Sequence, residues 1–486
     1  MKKITISLLL ALMAFNAEAQ SVESWVTTAD GTKLLAKGQP VEFKVKSQGR
    51  QAPIIVDPRQ TFQCMEGFGY ALTGGSAELL MKMTPQARSR TLKELFSEDG
   101  LGISYIRLTV GASDMNGSVF SYDDMPEGKT DFKLKRFSLA NDLNDVVPVM
   151  KEILQISPDI KVMASPWSAP AWMKEEYDVR GPKLRRDCYD VYSRYFVKYV
   201  QEMAKHGIRI DALTIQNEPL NNRNTPSMPW DPQDQTEFIR DYLGPQFASN
   251  GIETKIILFD HNCDRPDYPL SILSDPVAAR YASGVAFHNY MGDVSAMSQM
   301  HWARPDKDIY FTEQMIVDKN GSVSKNIAPN VKRMLIDVPR NWSRNVILWN
   351  LAADPQAGPH TDNGGCPFCH GAITIDGDEI SRNIAYYTLA HASAFVPSGS
   401  FRIASTAPDD PAIMLSEDEQ HPEVIRANYY ARSKVLPNVA YSTPDGKIIL
   451  IVSNTTSSTV TFNIQYNGRY ASLTLDSGAV GTYIWK

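Results

Sequence analysis

Short apolar runs alternate with helical segments through the middle of this chain, and this alternation is what most limits its fold. Eight runs have the length of strands, and each ends in polar or small residues. They cover residues 66–69, 103–110, 160–167, 212–218, 254–260, 284–290, 309–313 and 346–350. Strands that alternate with helices are typical of parallel sheets, and eight such units predict an α/β fold, the (β/α)8 or TIM barrel.

Two of the intervening segments carry clear helix signals. Thr84-Pro85 combines a capping residue with proline at the first helical position, which predicts a helix that continues to Phe96. In residues 192–203, aromatic residues and a methionine recur at helical spacing, and the segment closes at Gly207. Both segments lie between predicted strands, as a barrel of alternating units requires.

The two ends of the chain have a different pattern. Residues 21–58 and the residues after about 401 form short alternating runs, with Asp30-Gly31 and Asp445-Gly446 as turns. We therefore expect one β-sandwich, built from both termini and flanking the barrel. The predicted division is residues 20–60 for the N-terminal strands, 61–398 for the barrel and 399–486 for the C-terminal part of the sandwich.

The first 19 residues have the pattern of a cleavable signal peptide. Lys2-Lys3 precedes an apolar run, and Ala17-Glu18-Ala19 has the small residues of a cleavage site. The run is too short to span a bilayer, and no cysteine follows the site to carry a lipid. The sequence therefore predicts an exported protein, periplasmic or secreted.

The bulk composition is that of an ordinary globular protein. Hydrophobic residues make up 43% of the chain and charged residues 21%, which excludes a disordered chain. The net charge is −6, and no segment is dense in lysine or arginine, which argues against a nucleic-acid partner. We also expect no membrane span in the mature chain.

Five cysteines leave several interpretations open. The segment from Cys366 to His370 matches the Cys-x-x-Cys-His pattern of haem attachment, but its glycine-rich flanks indicate a loop. A local disulfide or a pair of loop thiols are the alternatives. A zinc site would need two further ligands, and no second cysteine pair supplies them. We expect no cofactor and no metal.

Two glutamates end strands on the same predicted face of the barrel. Asn217-Glu218-Pro219 ends the fourth predicted strand, and Glu313 ends the seventh. The carboxyl ends of barrel strands carry the chemistry of such folds. Glycoside hydrolysis needs this pair, one carboxyl to protonate the leaving oxygen and one opposite to attack. We expect burial and mutual repulsion to raise the pKa of the acid and to leave the other glutamate ionised.

Six segments, in order along the chain, form a recognisable set. They are Gly67-Phe68-Gly69 with Thr73, Ile106-Arg107-Leu108 with Asp114, the run from Ala164 to Lys174, Gln216-Asn217-Glu218-Pro219, Phe311-Thr312-Glu313, and Trp349-Asn350-Leu351-Ala352. This set resembles glycoside hydrolase family 30, the glucosylceramidase-like barrel glycosidases with paired glutamates on strands four and seven. The resemblance covers the barrel and both flanking β segments.

The resemblance implies a retaining β-glycosidase that hydrolyses β-glucosidic bonds by double displacement. In that role Glu218 is the acid/base and Glu313 the nucleophile. Asn217 would bond the 2-hydroxyl of the sugar, and Tyr290 would donate a hydrogen bond to the nucleophile.

Further implied contacts surround the sugar. Asp114 and Trp167 would bind its outer hydroxyls, and Trp349 would form an apolar floor under the ring. Arg107 would be a buried cation that keeps a neighbouring carboxylate charged. His288 has no metal-ligand partners at suitable spacing, so we interpret it as a hydrogen-bonded strand-end residue.

Each of these residues also has a purely structural interpretation. Trp167 and Trp349 could be core packing, and Arg107 suits a structural role better than contact with substrate. Asp260 and His261 end the fifth predicted strand and could form a polar pair at the rim. A solvated strand end is the interpretation we favour for that pair.

The sequence departs from the glucosylceramidases where the leaving group would bind. Met115-Asn116 and Asn289 stand where the lipid-cleaving members carry aromatic residues, and Leu348 stands in place of an acidic one. The loop of residues 358–371 resembles that of polysaccharide-acting bacterial members. These differences disfavour ceramide and favour a glucose-containing oligo- or polysaccharide, such as β-1,6-linked glucan.

Other functions remain open from the sequence. The family includes β-xylosidases and glucuronoxylanases, and an arginine-rich loop with Arg180 and Arg185-Arg186 would suit an acidic sugar, although it equally suits a solvated face. A barrel that binds carbohydrate without catalysis is another candidate. A metal-dependent barrel isomerase is a third, which the shortage of ligand clusters disfavours.

Overall fold

The computed structural model describes residues 21–47, 53–317, 326–406 and 436–486, so the predicted signal peptide lies outside the described residues. Four strands precede the barrel: β1 Ser21–Thr27, β2 Ala36–Lys37, β3 Val41–Glu42 and β4 Ile54–Cys64. The barrel strands are β5 Gly67–Leu72, β6 Tyr105–Thr109, β7 Lys161–Ser165, β8 Ala212–Thr214, β9 Lys255–Asn262, β10 Ala282–His288, β11 Asp308–Glu313 and β12 Asn345–Leu348. Three short strands follow: β13 Ala352–Ala353, β14 Ile373–Asp376 and β15 Glu379–Arg382. The last strands are β16 Phe401–Ser405, β17 Asn438–Ser442, β18 Ile448–Ser453, β19 Val460–Tyr466, β20 Arg469–Leu475 and β21 Val480–Trp485.

The helices lie mostly between the barrel strands. The α-helices are α1 Gly74–Lys82, α2 Pro85–Phe96, α3 Val146–Ile156, α4 Tyr189–Lys205, α5 Pro232–Phe238, α6 Gly244–Ser249, α7 Asp267–Leu273, α8 Pro276–Tyr281, α9 Ser295–Ala303, α10 Ile327–Val331, α11 Val338–Arg340 and α12 Ile384–Ser393. Short 3₁₀ turns cover Asp142–Asn144, Ala171–Met173 and Arg186–Cys188, and π-helical turns cover Ile239–Leu243 and Lys332–Asp337.

The eight middle strands form a parallel sheet in the order β11-β10-β9-β8-β7-β6-β5-β12. All eight predicted strands are present. The sheet closes because the residues on either side of β12 bond to β11 and to the residue after it. Arg344 N donates to Ile309 O at 2.9 Å, and Trp349 N donates to Gln314 O at 3.0 Å. The predicted (β/α)8 barrel is therefore confirmed, and its strands all point their carboxyl ends at one face.

The predicted start of α2 is confirmed in detail. Thr84 caps the helix, and its hydroxyl accepts a hydrogen bond from Ala87 N at 3.4 Å. Pro85 occupies the first turn, where its missing N–H costs nothing, and the helix ends at Phe96. The carboxylate of Asp378 also accepts hydrogen bonds from the backbone N–H and the hydroxyl of Thr84, both at 2.7 Å, and so fixes the start of the helix from outside.

Strands from both ends of the chain share the outer sheet. Its order is β2-β1-β21-β18-β17-β16-β4-β19-β20, with β3 paired to β1. The first and last described strands are neighbours, since Trp25 of β1 lies opposite Thr482 of β21. The prediction of a β-sandwich built from both termini is therefore confirmed.

The sandwich packs against the barrel through the uninterrupted apolar run of β18. Ile449 and Ile451 belong to the core shared with the barrel, whereas Leu450 and Val452 belong to the core inside the sandwich. Because successive side chains of a strand alternate between faces, burial on both sides requires this continuous run.

A buried histidine joins the barrel to the sandwich. His391 of α12 forms hydrogen bonds with the hydroxyls of Thr27 at 2.8 Å and Thr482 at 2.9 Å. Burial lowers the pKa of His391 to about 3, so the ring is neutral and each nitrogen has a hydroxyl partner. Through this contact both ends of the chain support the barrel.

Candidate active site

The carboxyl ends of the barrel strands surround a cleft of about 540 Å³. It is lined by Asp114, Trp167, Glu218, Tyr290, Glu313 and Trp349, among others. These six residues lie at the ends of six different strands or in the loops after them, so the barrel brings together side chains that are far apart in sequence. The base of the barrel is filled by a separate apolar layer that includes Tyr105, Met163 and Ile257. The cleft is therefore a pocket in one face, with a packed floor.

Arg107 of β6 lies at the bottom of this cleft with no exposed surface. Its guanidinium donates to Glu313 Oε2 at 2.6 Å, to Asp260 Oδ2 at 2.7 Å and to Asn217 Oδ1 at 2.7 Å. A fourth bond runs from Nε to Ser165 Oγ at 3.1 Å. The guanidinium thus fixes side chains from four other barrel strands or the loops after them.

Asp260 is the anionic partner at the centre of this network, and its interpretation from sequence is wrong. The favoured interpretation was a solvated strand end, but Asp260 is completely buried. Besides Arg107 it accepts hydrogen bonds from Thr214 at 2.7 Å, from Thr312 at 2.6 Å and from the ring of His288 at 3.0 Å. Burial alone would raise the pKa of Asp260, but Arg107 and His288 hold it well below its usual range.

His288 bridges two carboxylates. Its Nδ1 lies 3.0 Å from Glu218 Oε1 and its Nε2 lies 3.0 Å from Asp260 Oδ1. Burial would lower the pKa of His288, yet Glu313, Asp260 and Glu218 together raise it to about 9. At neutral pH the ring is therefore a cation that donates from both nitrogens, in line with its prediction as a hydrogen-bonded strand-end residue.

Glu218 is held on both carboxylate oxygens. Asn221 Nδ2 donates to Oε2 at 2.6 Å, and His288 contacts Oε1. The backbone at Glu218 has a φ of 47°, a left-handed conformation that a non-glycine residue adopts at a cost of about 1–2 kcal/mol. The Glu218 N–H donates to Asp260 O at 2.9 Å, so the turn after β8 is anchored to β9.

The pKa of Glu218 runs against the expectation from sequence. Burial would raise it, but the hydrogen bond and charge of His288 lower the pKa of Glu218 to about 2. Burial raises the pKa of Glu313 instead, and Arg107 and His288 oppose that rise. The expected raised pKa of Glu218 is therefore wrong for the substrate-free site, because the sequence did not reveal the imidazolium beside it.

Glu313 ends β11 and faces Glu218 across the cleft. Tyr290 Oη donates to Glu313 Oε1 at 2.9 Å, and Met315 N donates in turn to Tyr290 Oη at 3.1 Å. With Arg107 on Oε2, both oxygens of Glu313 have a donor. The contact between Tyr290 and Glu313 is the one that the sequence analysis expected.

The remaining predicted residues form the walls. The rings of Trp167 and Trp349 stack with centroids 5.4 Å apart, and the Arg107 guanidinium lies 4.9 Å from the Trp167 ring. Asp114 is 6% exposed, and burial, together with the charges of Glu313 and Glu218, raises the pKa of Asp114 to about 8. Every site residue predicted from sequence therefore lies in this cleft or in direct contact with it.

The cleft also contains a set of side chains at metal-ligand distances. Ligand atoms of Glu218, His288 and Glu313 all lie within 4.8 Å of one another. With a pKa of about 9, however, His288 carries protons on both nitrogens at neutral pH, and a metal would have to displace one of them. The geometry suits a protonated imidazolium between carboxylates better than a metal centre.

The loop after β12 adds residues whose role the sequence left open. Cys366 and Cys369 form a disulfide, which settles the alternatives of haem attachment, disulfide and loop thiols. Both cysteines line the cleft. Cys64, Cys188 and Cys263 are unpaired.

Comparison with known proteins agrees with this geometry. The model of the "Glycosyl hydrolase family 30 TIM-barrel domain" matches residues 65–396, and that of the "Glycosyl hydrolase family 30 beta sandwich domain" matches residues 423–483. The chain belongs to glycosyl hydrolase family 30. It is therefore a glycoside hydrolase, as the motifs of the sequence indicated.

Relatives within the family act on different substrates. The chain is 28% identical to the endo-1,6-β-D-glucanase BGN16.3 of Trichoderma harzianum over 100% of this chain and 99% of that one. It is 27% identical to the lysosomal acid glucosylceramidase of Mus musculus, covering 89% and 83% of the two chains. The solved endo-β1,6-glucanase BT3312 is 32% identical, with a TM-score of 0.84 over 96% of this chain and 99% of that chain.

The Asp260 network predicts a change in pH dependence. In Asp260→Asn, one of the charges that raise the pKa of His288 is lost, so that pKa falls. We expect kcat on an aryl β-glycoside to fall at least about tenfold, and the alkaline limb of kcat/KM to move down by on the order of one pH unit.

The matched control is Asp264→Asn, which removes an exposed carboxylate two residues after the same strand. Its pH profile should coincide with that of the unaltered enzyme. An Asp260→Asn profile with an unshifted alkaline limb would contradict the coupling of Asp260 to His288.

Proposed function

We propose that this chain hydrolyses β-1,6-linked glucan with retention of configuration, with Glu218 as acid/base and Glu313 as nucleophile. The observation that carries the proposal is the approach of their carboxylate oxygens to within 4.8 Å across one buried cleft. Retaining glycosidases have carboxyl groups about 5–5.5 Å apart, whereas inverting enzymes need about 6.5–9.5 Å to place a water.

Glu313 is suited to attack the anomeric carbon. Its charge is opposed by burial but supported by the 2.6 Å ion pair with Arg107. Tyr290 and Arg107 also fix the carboxylate in one orientation, which lowers the cost of reaching the attacking geometry. Attack forms a bond from a Glu313 oxygen to the sugar as the bond to the leaving oxygen breaks.

Glu218 gives the leaving oxygen its proton, and His288 supplies that proton to Glu218. In the substrate-free site the proton is on His288, whose Nδ1 lies 3.0 Å from Glu218 Oε1. Transfer across this hydrogen bond makes Glu218 a neutral acid. In the second half-reaction Glu218 takes a proton from water as the water oxygen bonds to the anomeric carbon and the bond from the sugar to Glu313 breaks. Glu218 then returns this proton to His288, which restores the substrate-free state.

Two polar side-chain atoms of the cleft are available to bond the hydroxyls of a sugar. Asp114 Oδ1 and Trp167 Nε1 are buried and have no hydrogen-bond partner among the described residues. Buried polar atoms are normally paired, so their common position in the cleft indicates ligand hydroxyls as partners. Asn217 has its carbonyl oxygen occupied by Arg107, which leaves its amide nitrogen to donate to the 2-hydroxyl. Trp349 supplies an apolar face for the ring.

The choice of β-1,6-glucan rests on the relatives and on three sequence differences from the glucosylceramidases. Endo-1,6-β-glucanases match over nearly the whole chain, both in sequence and in a solved structure. Met115, Asn289 and Leu348 differ from the glucosylceramidase pattern. Two of the three arginines suggested for an acidic sugar are engaged elsewhere: Arg185 pairs with Asp187, and Arg186 with Glu237.

Export of the protein is part of the proposal. The signal-peptide pattern of residues 1–19 supports it, and the Cys366–Cys369 disulfide suits an oxidising compartment. Among the helices of the described ranges, none has both the length and the apolar character that a bilayer crossing needs.

The two glutamates are expected to respond differently to substitution. Glu313→Gln should lower kcat on all glycosides by at least about 10⁴-fold, because no nucleophile remains. Glu218→Ala should spare aryl glycosides with good leaving groups far more than natural glycosides, because such groups leave without protonation. Initial rates on both substrate types measure this difference.

Glu98→Gln is the control, because Glu98 is an exposed residue two positions after α2. This variant should behave as the unaltered enzyme. A fluorinated-sugar inactivator followed by peptide mass spectrometry should label Glu313. Labelling of any other residue would show the assignment of the nucleophile to be wrong.

Product analysis on a panel of substrates tests the choice of glucan. We expect release of glucose or short oligosaccharides from β-1,6-glucan, with kcat/KM at least about tenfold above that on β-1,3-glucan, xylan and glucosylceramide. Faster hydrolysis of glucosylceramide or xylan would contradict the proposed substrate while leaving the retaining chemistry in place.

A further inference from the structure

The loop after β12 spans the mouth of the barrel. Its Thr361 N–H donates to Asp114 O at 2.9 Å, beyond β6, and its hydroxyl donates to Thr225 O at 2.8 Å, beyond β8. Since β12 and β8 are four strands apart in a barrel of eight, the loop reaches from one side of the mouth to the other. It therefore walls the cleft on the side of Asp114.

A disulfide closes the turn at the inner edge of this loop. Cys366 and Cys369 line the cleft beside the catalytic pair. Cys369 packs with Trp167 and Trp349, the tryptophans of the sugar pocket. The sulfur of Met315, two residues after Glu313, contacts both cysteine sulfurs. The turn is thus part of the cleft wall, directly beside the two tryptophans.

An exposed aromatic residue stands on this turn. Phe368 lies between the two cysteines and is 51% exposed. Three other large apolar side chains are exposed on loops at the same mouth and line the cleft, namely Leu220, Tyr290 and Met291. Exposed apolar groups that continue a ligand cleft are typical of a binding surface.

We propose that the disulfide-closed turn Cys366–Cys369, with Phe368 at its tip, is a second sugar-binding surface that holds a further glucose unit of a β-linked glucan chain. This inference rests on the proposed glucan hydrolase function and adds a residue that selects chains over single glucosides. The occupant is a glucan because the turn continues the pocket in which Glu218 and Glu313 meet.

The disulfide explains how an exposed ring can bind with useful affinity. The turn lies between Gly364 and Gly371, whose φ values of 86° and 74° allow the loop to fold back on itself. A loop with such glycines loses much conformational freedom when it binds a ligand. The crosslink removes part of that freedom beforehand and fixes the turn that carries Phe368 against the cleft wall.

The test compares kcat/KM on a linear β-1,6-linked gluco-oligosaccharide of four units with kcat/KM on an aryl β-glucoside, which carries one sugar. In Phe368→Ala the ratio of oligosaccharide to aryl glucoside should fall about tenfold, since one aromatic contact is lost. Phe368→Trp, which keeps an aromatic face, should hold the ratio within about twofold. The double variant Cys366→Ser/Cys369→Ser should lower the ratio in the same direction as Phe368→Ala.

Phe401→Ala is the matched control, because Phe401 is a similarly exposed aromatic on β16, away from the cleft. Its ratio should equal that of the unaltered enzyme. Equal ratios for Phe368→Ala and Phe401→Ala would overturn the inference. Failure of the unaltered enzyme on both substrates would instead overturn the proposed function. In that case calorimetry would still decide the inference, by comparing binding of the oligosaccharide to Glu313→Gln with binding to Glu313→Gln/Phe368→Ala. Weaker binding to the double variant supports the inference, and equal binding overturns it.

Discussion

The buried guanidinium of Arg107 is the charge on which the whole cleft depends. Three carboxylates, Glu218, Asp260 and Glu313, meet in a space that water hardly reaches, and their mutual repulsion would not allow all three to ionise there. Arg107 and the His288 cation oppose them, so that with all three carboxylates ionised the five groups carry two positive and three negative charges, a net charge of −1. Removal of either cation would leave buried carboxylates unpaired, which is far costlier than loss of a surface ion pair.

The same network positions the chemistry. Asp260 accepts from Arg107 with one oxygen and from His288 with the other. The two cations that contact the glutamates are therefore held in fixed relative positions by one carboxylate. Strands β6, β9, β10 and β11 each contribute one of these groups. The barrel therefore acts as a rigid frame that places two carboxylates, Glu218 and Glu313, at a separation suited to double displacement.

Much of this could be predicted from sequence because the barrel repeats a local pattern. Each strand ends in polar residues, so Glu218 and Glu313 could be placed on one face, and the family motifs added Asp114, Trp167 and Trp349. Asp260 also lies at the end of a strand. Because its partners lie on other strands and cannot be inferred from the sequence, it was predicted to be a solvated residue. The pKa of Glu218 was mispredicted for the same reason, since its direction is set by His288, 70 residues away along the chain.

The stereochemistry of the first product is the most direct test of the central claim, that Glu218 and Glu313 carry out a double displacement. Proton NMR of a β-glucan digest, recorded within the first minutes, separates the two anomers before they interconvert. The short distance between the carboxylates predicts that the β-anomer appears first and that the α-anomer grows in later by mutarotation. Initial release of the α-anomer would show inversion and would contradict the account.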